Sequence, residues 1–250
     1  MEKLKRLSGE NRLLIFGIPV LVVAAVAGWL MWHATADLDE IEARTLELNS
    51  VATLAWEHLV LVVISAFLVI ATAIPLGIVL TRQSTQFLAP VVTGIANIGQ
   101  AAPVVGVIVL LAIWLGFGTP VAILGLWFYA FLPVLANVIA GLRGVDKQLI
   151  EAAHGLSMSP MQVLAKVELP LALPVIMTGV RTSLVLLVGA GAFATFIDAG
   201  GLGGLITSGI NLYRTPILVS GAVLIAALAL AVEWVGRVLE LAFTPKGMIK

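Results

Sequence analysis

The sequence predicts an all-α, polytopic helical membrane protein with six spans and both termini on the inner side. Three observations carry this. Sixty per cent of the 250 residues are hydrophobic and 11% are charged, against about 45–50% and about 25% in a soluble domain. The apolar residues fall in runs of about 20, the length at which a helix covers about 30 Å of hydrocarbon. Lys and Arg are shared unequally between alternate loops, and that bias sets orientation.

Each span follows from its run. Residues 13–32 carry no charge, and twenty apolar residues without a clear A-x-A site read as an anchor, not a cleaved leader. Residues 58–80 give the second span. No charged residue occurs from 83 to 142. That stretch divides into a polar-spotted lead-in at 83–102, a third span near 103–117 and a fourth near 120–142. The lead-in has three options: it extends the third span, lies along the membrane, or crosses alone. A separate crossing would place Arg82 and Arg143 on opposite sides, so two crossings are preferred. Residues 174–197 form the fifth span, interrupted by Arg181, and 216–243 the sixth.

The charge count agrees with this order. The inner segments hold Lys3, Lys5, Arg6, Arg12, Arg82, Arg143, Lys147, Lys166, Lys246 and Lys250. Arg181 and Arg237 lie within snorkelling reach of that side. Only Arg44 and Arg214 fall outside. The acidic segment 37–57 is then outer, and Ile41, Leu46 and Leu48 among its carboxylates predict a short surface helix.

Composition also excludes functions. Lys+Arg and Asp+Glu are 14 each, so no basic surplus seeks nucleic acid. There is no Cys, hence no disulfide, thiolate site or thiol nucleophile. His33, His58 and His154 are too far apart in sequence to suggest a metal cluster. No GxxxxGK[ST] occurs, so the chain has no P-loop. An enzyme is not indicated.

The informative polar stretch is the inner loop 143–173. Residues 145–154 predict a helix with Leu149, Ala152 and Ala153 on one stripe. Ser159, Pro160 and Gln162 spell a helix start with a capping box. A short helix at 160–168 presents Met161, Leu164 and Val167 at helical spacing. Pro170 is expected to stop it, and Pro174 to begin the next span. Such a helix, tied to two spans, is a handle for a partner or a helix resting on the membrane surface.

Here the residues resemble a known family. Glu151-Ala152-Ala153, then position 157, then Val167-Glu168-Leu169-Pro170 is similar to the EAA loop of ABC importer permeases (EAA-x3-G-x9-I-x-LP). Ser157 stands where the family has Gly, and Val167 where it has Ile. If that turn needs positive φ, Ser157 is strained, and Gly155 is the neighbour expected to take part of the strain. Further stretches resemble the glycine betaine/carnitine/choline branch: Gln100 to Pro103, Phe131 to Leu135, Gly141 to Asp146, Val175 to Arg181 and Ala199 to Gly203. The likeness runs from about residue 53 to residue 237.

The resemblance implies a five-span type I permease core at 53–237. Residues 1–52 would be an added anchor with an extracytoplasmic acidic segment, and 238–250 a cytoplasmic tail. It implies an ATP-driven importer of a small osmoprotectant, in the cytoplasmic membrane of a prokaryote. The partners implied are a cytoplasmic ABC ATPase dimer, a second permease chain and an extracytoplasmic solute-binding protein. No cofactor is implied for this chain, because the ATPase binds the ATP. The docking residues implied are Glu151, Ala152, Ala153, Gly155, Ser157, Leu164, Val167, Leu169 and Pro170. The rivals are a permease of the same class for another solute, such as an amino acid, and an ion-coupled secondary transporter. The latter is disfavoured by the lack of paired carboxylates in the central spans.

Asn97, Gln100, Tyr129, Asn137 and Arg181 are candidates to line a pathway. Each has a plainer alternative. Arg181 could snorkel or pair. The amides could join helices. Trp127, Phe128, Tyr129 and Phe131 invite a cation–π role, but four aromatics in six residues cannot share one helix face, and packing is preferred. Glu233 and Arg237, four apart, read as an ion pair. Residues 199–204 read as a tight outer turn, with Asp198 beside it.

Overall fold

The computed structural model describes residues 9–243. Lys3, Lys5, Arg6, Lys246 and Lys250, and the tail residues 244–250, lie outside the described residues. Among the described residues every regular element is helical. α1 spans Gly9–Thr35, and a short α2, Glu40–Thr45, follows with Asp39 and Glu42 forming a capping box. α3 is one long helix, Leu48–Val79. It begins ten residues before the predicted second span, because nothing between Leu48 and His58 breaks the pattern and Val51 already packs inward. The surface helix of the acidic segment is thus confined to α2, with Leu46 buried beneath it.

The charge-free stretch departs from expectation. It forms α4, Ala89–Ala101, and α5, Val104–Leu115, bent by 97° at the break. Twelve residues rise only about 18 Å, so α5 alone is too short to cross. The bend has a local cause. Pro103 disfavours helical backbone at the residue before it, and Ala102 is extended at ψ 142. Gly116 and Gly118, both at positive φ, close α5 and turn the chain into α6, Thr119–Arg143. Among the described residues five helices are long and apolar enough to cross, or six if the bent pair is one span.

The inner loop folds into α7, Lys147–Gly155, and α8, Pro160–Val163, a π-turn at Leu164–Glu168, and α9, Leu169–Gly191. Here the predicted stop at Pro170 is wrong. Helix runs without interruption from Pro160 to Ile197. The π-turn explains it: the Leu169 N–H donates to the Leu164 carbonyl, five residues back, so the wider turn absorbs the donor that Pro170 lacks. The same extra residue rotates the stripe. Val163 is buried, Leu164 packs on the core, and Met161 is exposed. A 3-10 segment, Ala192–Ile197, ends the rod. A short α10, Gly203–Asn211, which the sequence reading missed, leads to α11, Thr215–Phe243.

The core is built where α6 packs on α3 and α9. Leu126, Ala130, Val134, Leu135 and Val138 of α6 are fully buried there. Close approach needs small residues, as in other membrane helix pairs. A Cβ on Gly179 of α9 would lie 2.6 Å from the Asn137 Cβ of α6. The anchor α1 lies against α11. Trp29 Nε1 donates to Ser220 Oγ (2.9 Å) and Trp234 Nε1 donates to the Ile15 carbonyl (2.8 Å). Most of α1 otherwise faces outward: Phe16, Val20, Leu21, Val23 and Met31 are exposed, the surface a lipid-facing helix shows.

Candidate functional site

The loop that carries the sequence motif is a rigid, doubly capped corner. The Asp146 carboxylate accepts from the Gln148 N–H and starts α7. The Ser159 hydroxyl accepts from the Gln162 N–H while the Gln162 side chain accepts from the Ser159 N–H, so the predicted capping box is present. Between them the chain reverses in three residues. Met158 N–H donates to the Ala153 carbonyl, and Ser157 N–H to the His154 carbonyl, a Schellman closure. Its left-handed residue is Ser157, at φ 61. Gly155 is helical and carries none of that strain, which corrects the expectation.

The corner presents two faces. Ala153 and Val163 are buried against the spans. Leu164, Val167, Leu169 and Pro170 are partly buried at the seam with α9. Glu151, Ala152, Gly155 and Ser157 point away and are exposed, beside Leu156 (78% exposed) and Met161 (71%). A carboxylate flanked by small and apolar side chains, on a helix fused to a span, is a surface on which a partner can push.

Two charged groups that the motif did not single out tie this corner to a neighbouring helix. Glu168, 8% exposed, sits at the end of the π-turn. Its Oε2 accepts from Arg82 Nη2 at 2.7 Å. Arg82 lies just beyond α3, and its guanidinium also donates to the Thr81 hydroxyl and the Ile78 carbonyl. The signal in the sequence was a lone carboxylate in an apolar run and a lone cation closing a span. Nothing there says that the two meet across 86 positions.

In the other half of α3, the Glu57 carboxylate accepts from the Gly201 N–H (3.0 Å) and His58 Nε2 contacts the Val188 carbonyl (2.9 Å). The turn 199–204 is glycine-rich for a reason visible here. Gly200 and Gly201 have positive φ, and a Cβ on Gly201 would meet His58 Nδ1 at 3.2 Å. Asp198, in the left-handed conformation, lines a shallow cavity with Glu57, Thr119 and Gly200. The acidic segment is fastened at the same end, where Arg214 pairs with Asp39 and approaches Glu42.

The remaining candidates separate. Arg181 pairs with Glu233 (2.8 Å) and Glu240 (2.6 Å) of α11. Its stem crosses α11 over Gly236, where a Cβ would lie 2.8 Å from Arg181 Cγ. Glu233 therefore serves Arg181, a partner that its spacing to Arg237 does not indicate. Asn137 Nδ2 donates to the Pro133 carbonyl within α6, and its Cβ backs Gly179. Asn97 is exposed on α4 and donates to the Thr93 carbonyl, while Gln100 is half-buried. Tyr129 packs on the core. Trp127 Nε1 donates to Thr72 Oγ1 of α3 (2.9 Å) and its ring lies tilted against Phe131 at 5.2 Å. The five pathway candidates do not converge on one site within this chain.

Residues 73–244 match the family model described as the binding-protein-dependent transport system inner membrane component. The choline transport system permease protein OpuBB of Bacillus subtilis is 42% identical over 193 residues, 77% of this chain and 88% of that one. The carnitine transport permease protein OpuCB of Listeria monocytogenes is 40% identical over the same shares. The osmoprotectant import permease protein OsmY of Salmonella typhimurium is 36% identical over 91% of this chain and 94% of its own. Among solved structures, a chain of the MetNI methionine ABC transporter in an inward-facing conformation superposes with a TM-score of 0.71 at 26% identity. It is covered in full, over 83% of this chain.

Proposed function

The chain belongs to the family of inner-membrane components of binding-protein-dependent transport systems, and from that premise we propose that it imports a small quaternary ammonium osmoprotectant. Glycine betaine, carnitine and choline are the solutes in view, since relatives named for them are 40–42% identical to it over 77% of its length. The chain is the membrane permease of an ATP-driven importer. ATP is bound by a separate ATPase, and a binding protein delivers solute at the outer face. A second permease chain completes the pore, which explains why the pathway candidates do not meet in one copy.

The observation that carries the mechanism is the unbroken helix from Pro160 to Ile197. A partner gripping Glu151, Ala152, Leu156 and Met161 moves α7, α8 and the span behind them as one body. Nucleotide binding that closes the ATPase dimer then biases a two-state equilibrium of the pore. The orientation that serves this has Arg143 and Lys147 inside and Arg44 and Arg214 outside, by the distribution of basic residues.

The test is reconstitution. The chain, its ATPase and its binding protein in vesicles should accumulate labelled betaine, choline or carnitine only with ATP inside the compartment that holds the ATPase. Methionine should not compete. Competition by methionine would favour the second reading, an amino-acid permease, to which the methionine transporter's fold lends support. Proton-driven uptake by this chain alone would overturn both.

A further inference from the structure

We propose that Arg82 and Glu168 are positioning residues that pass the motion of the ATPase-docking corner to α3, and so couple hydrolysis to transport. The proposal rests on the reading that the corner at 147–170 docks the ATPase. The corner is continuous with α9, but the His58–Val188 bond that ties α9 to α3 lies far from it, and beside the corner the tie is the Arg82–Glu168 pair. A charged pair at the seam prevents sliding, because separating it strands a carboxylate that is 8% exposed, a costly arrangement.

Three observations place the pair at that joint. Glu168 is the last residue of the π-turn, where the rod passes from the docking corner into the span and changes its hydrogen-bond register. Arg82 is held before it pairs, by the Thr81 hydroxyl and the Ile78 carbonyl, so its guanidinium is aimed, not merely nearby. α3 is fastened again in its other half, by Glu57 to Gly201 and His58 to Val188. From Glu57 to Val79, where it ends, α3 rises about 33 Å. α3 is thus a strut, joined near one end to the docking corner and in its other half to α9 and the turn at 199–204.

The experiment uses the assembled transporter, with permease, ATPase and binding protein in vesicles. Three quantities are read: ATPase co-purified with the permease, ATP hydrolysis with loaded binding protein, and solute moved per ATP. Glu168→Gln and Arg82→Gln are expected to keep the ATPase bound while solute per ATP falls about tenfold, the scale of an ordinary coupling free energy. The exchange Arg82→Glu with Glu168→Arg should recover most of that loss. Arg82→Lys, which keeps the charge but not the planar fork, should fall between, and it serves as the readout if a neutral variant does not accumulate. Unchanged solute per ATP in the single variants overturns the proposal. So does an exchange no better than its parents. Loss of bound ATPase from Glu168→Gln would make Glu168 a docking residue and overturn the strut alone. Retention of ATPase by Glu151→Lys would instead overturn the docking reading.

Discussion

Ser157 shows how a single residue can be both legible and costly. The left-handed conformation costs a non-glycine residue about 1–2 kcal/mol, while glycine gives up about 0.5–1 kcal/mol in backbone entropy. The first term is the larger, so Ser157→Gly should stabilise by about 0.5 kcal/mol. A small rise in the melting temperature in detergent is expected, and a fall would show that the turn gains something from the hydroxyl. Glu151 faces solvent, so Glu151→Lys should leave insertion and melting unchanged while abolishing ATPase association and uptake. Unchanged uptake would remove the residue from the docking surface. Both positions were readable because the motif fixes their spacing within one turn. Glu168 and Arg82 were not, because an ion pair between residues so far apart in sequence depends on how two helices pack.

At the scale of elements, glycine positions decide which helices touch. Gly179 has the Pro133 carbonyl and the Asn137 side chain against it, and Gly17 in α1 has nothing within 4 Å. Gly179→Ala should therefore destabilise by about 1–3 kcal/mol through overpacking, and Gly17→Ala should be neutral or slightly stabilising. Thermal unfolding of the two variants in the same detergent compares them. Equal effects would mean that the α6–α9 contact is looser than the structure has it. The helices themselves were legible from apolar run length and from the Ser159 capping box. Two element boundaries were not. Pro103 bends its segment by 97°, whereas Pro170 bends nothing, because a π-turn precedes it. Proline removes one donor in both cases, and the geometry of the preceding turn settles whether that matters.

For the whole molecule, the native sequence offers a clean test of topology, since it contains no cysteine. Gln148→Cys in α7 and Glu40→Cys in α2 are both exposed. In intact cells an impermeant maleimide should label Glu40→Cys at once and Gln148→Cys only after permeabilisation. The reverse pattern would invert the orientation drawn from the basic residues. The sequence by itself determined the solvent, the helical class, the family and the EAA-like motif of the inner loop, because each depends on composition or on spacing within a few turns. The tertiary structure decided the rest. It bent the charge-free stretch into two short helices and made the corner at 147–170 continuous with its span. It gave Arg181 to Glu233 and Glu240, and joined Arg82 to Glu168. Those outcomes turn on which faces of distant helices meet, and in a chain so uniformly apolar that is settled by shape, by small residues at crossings and by the few charges that must find one another.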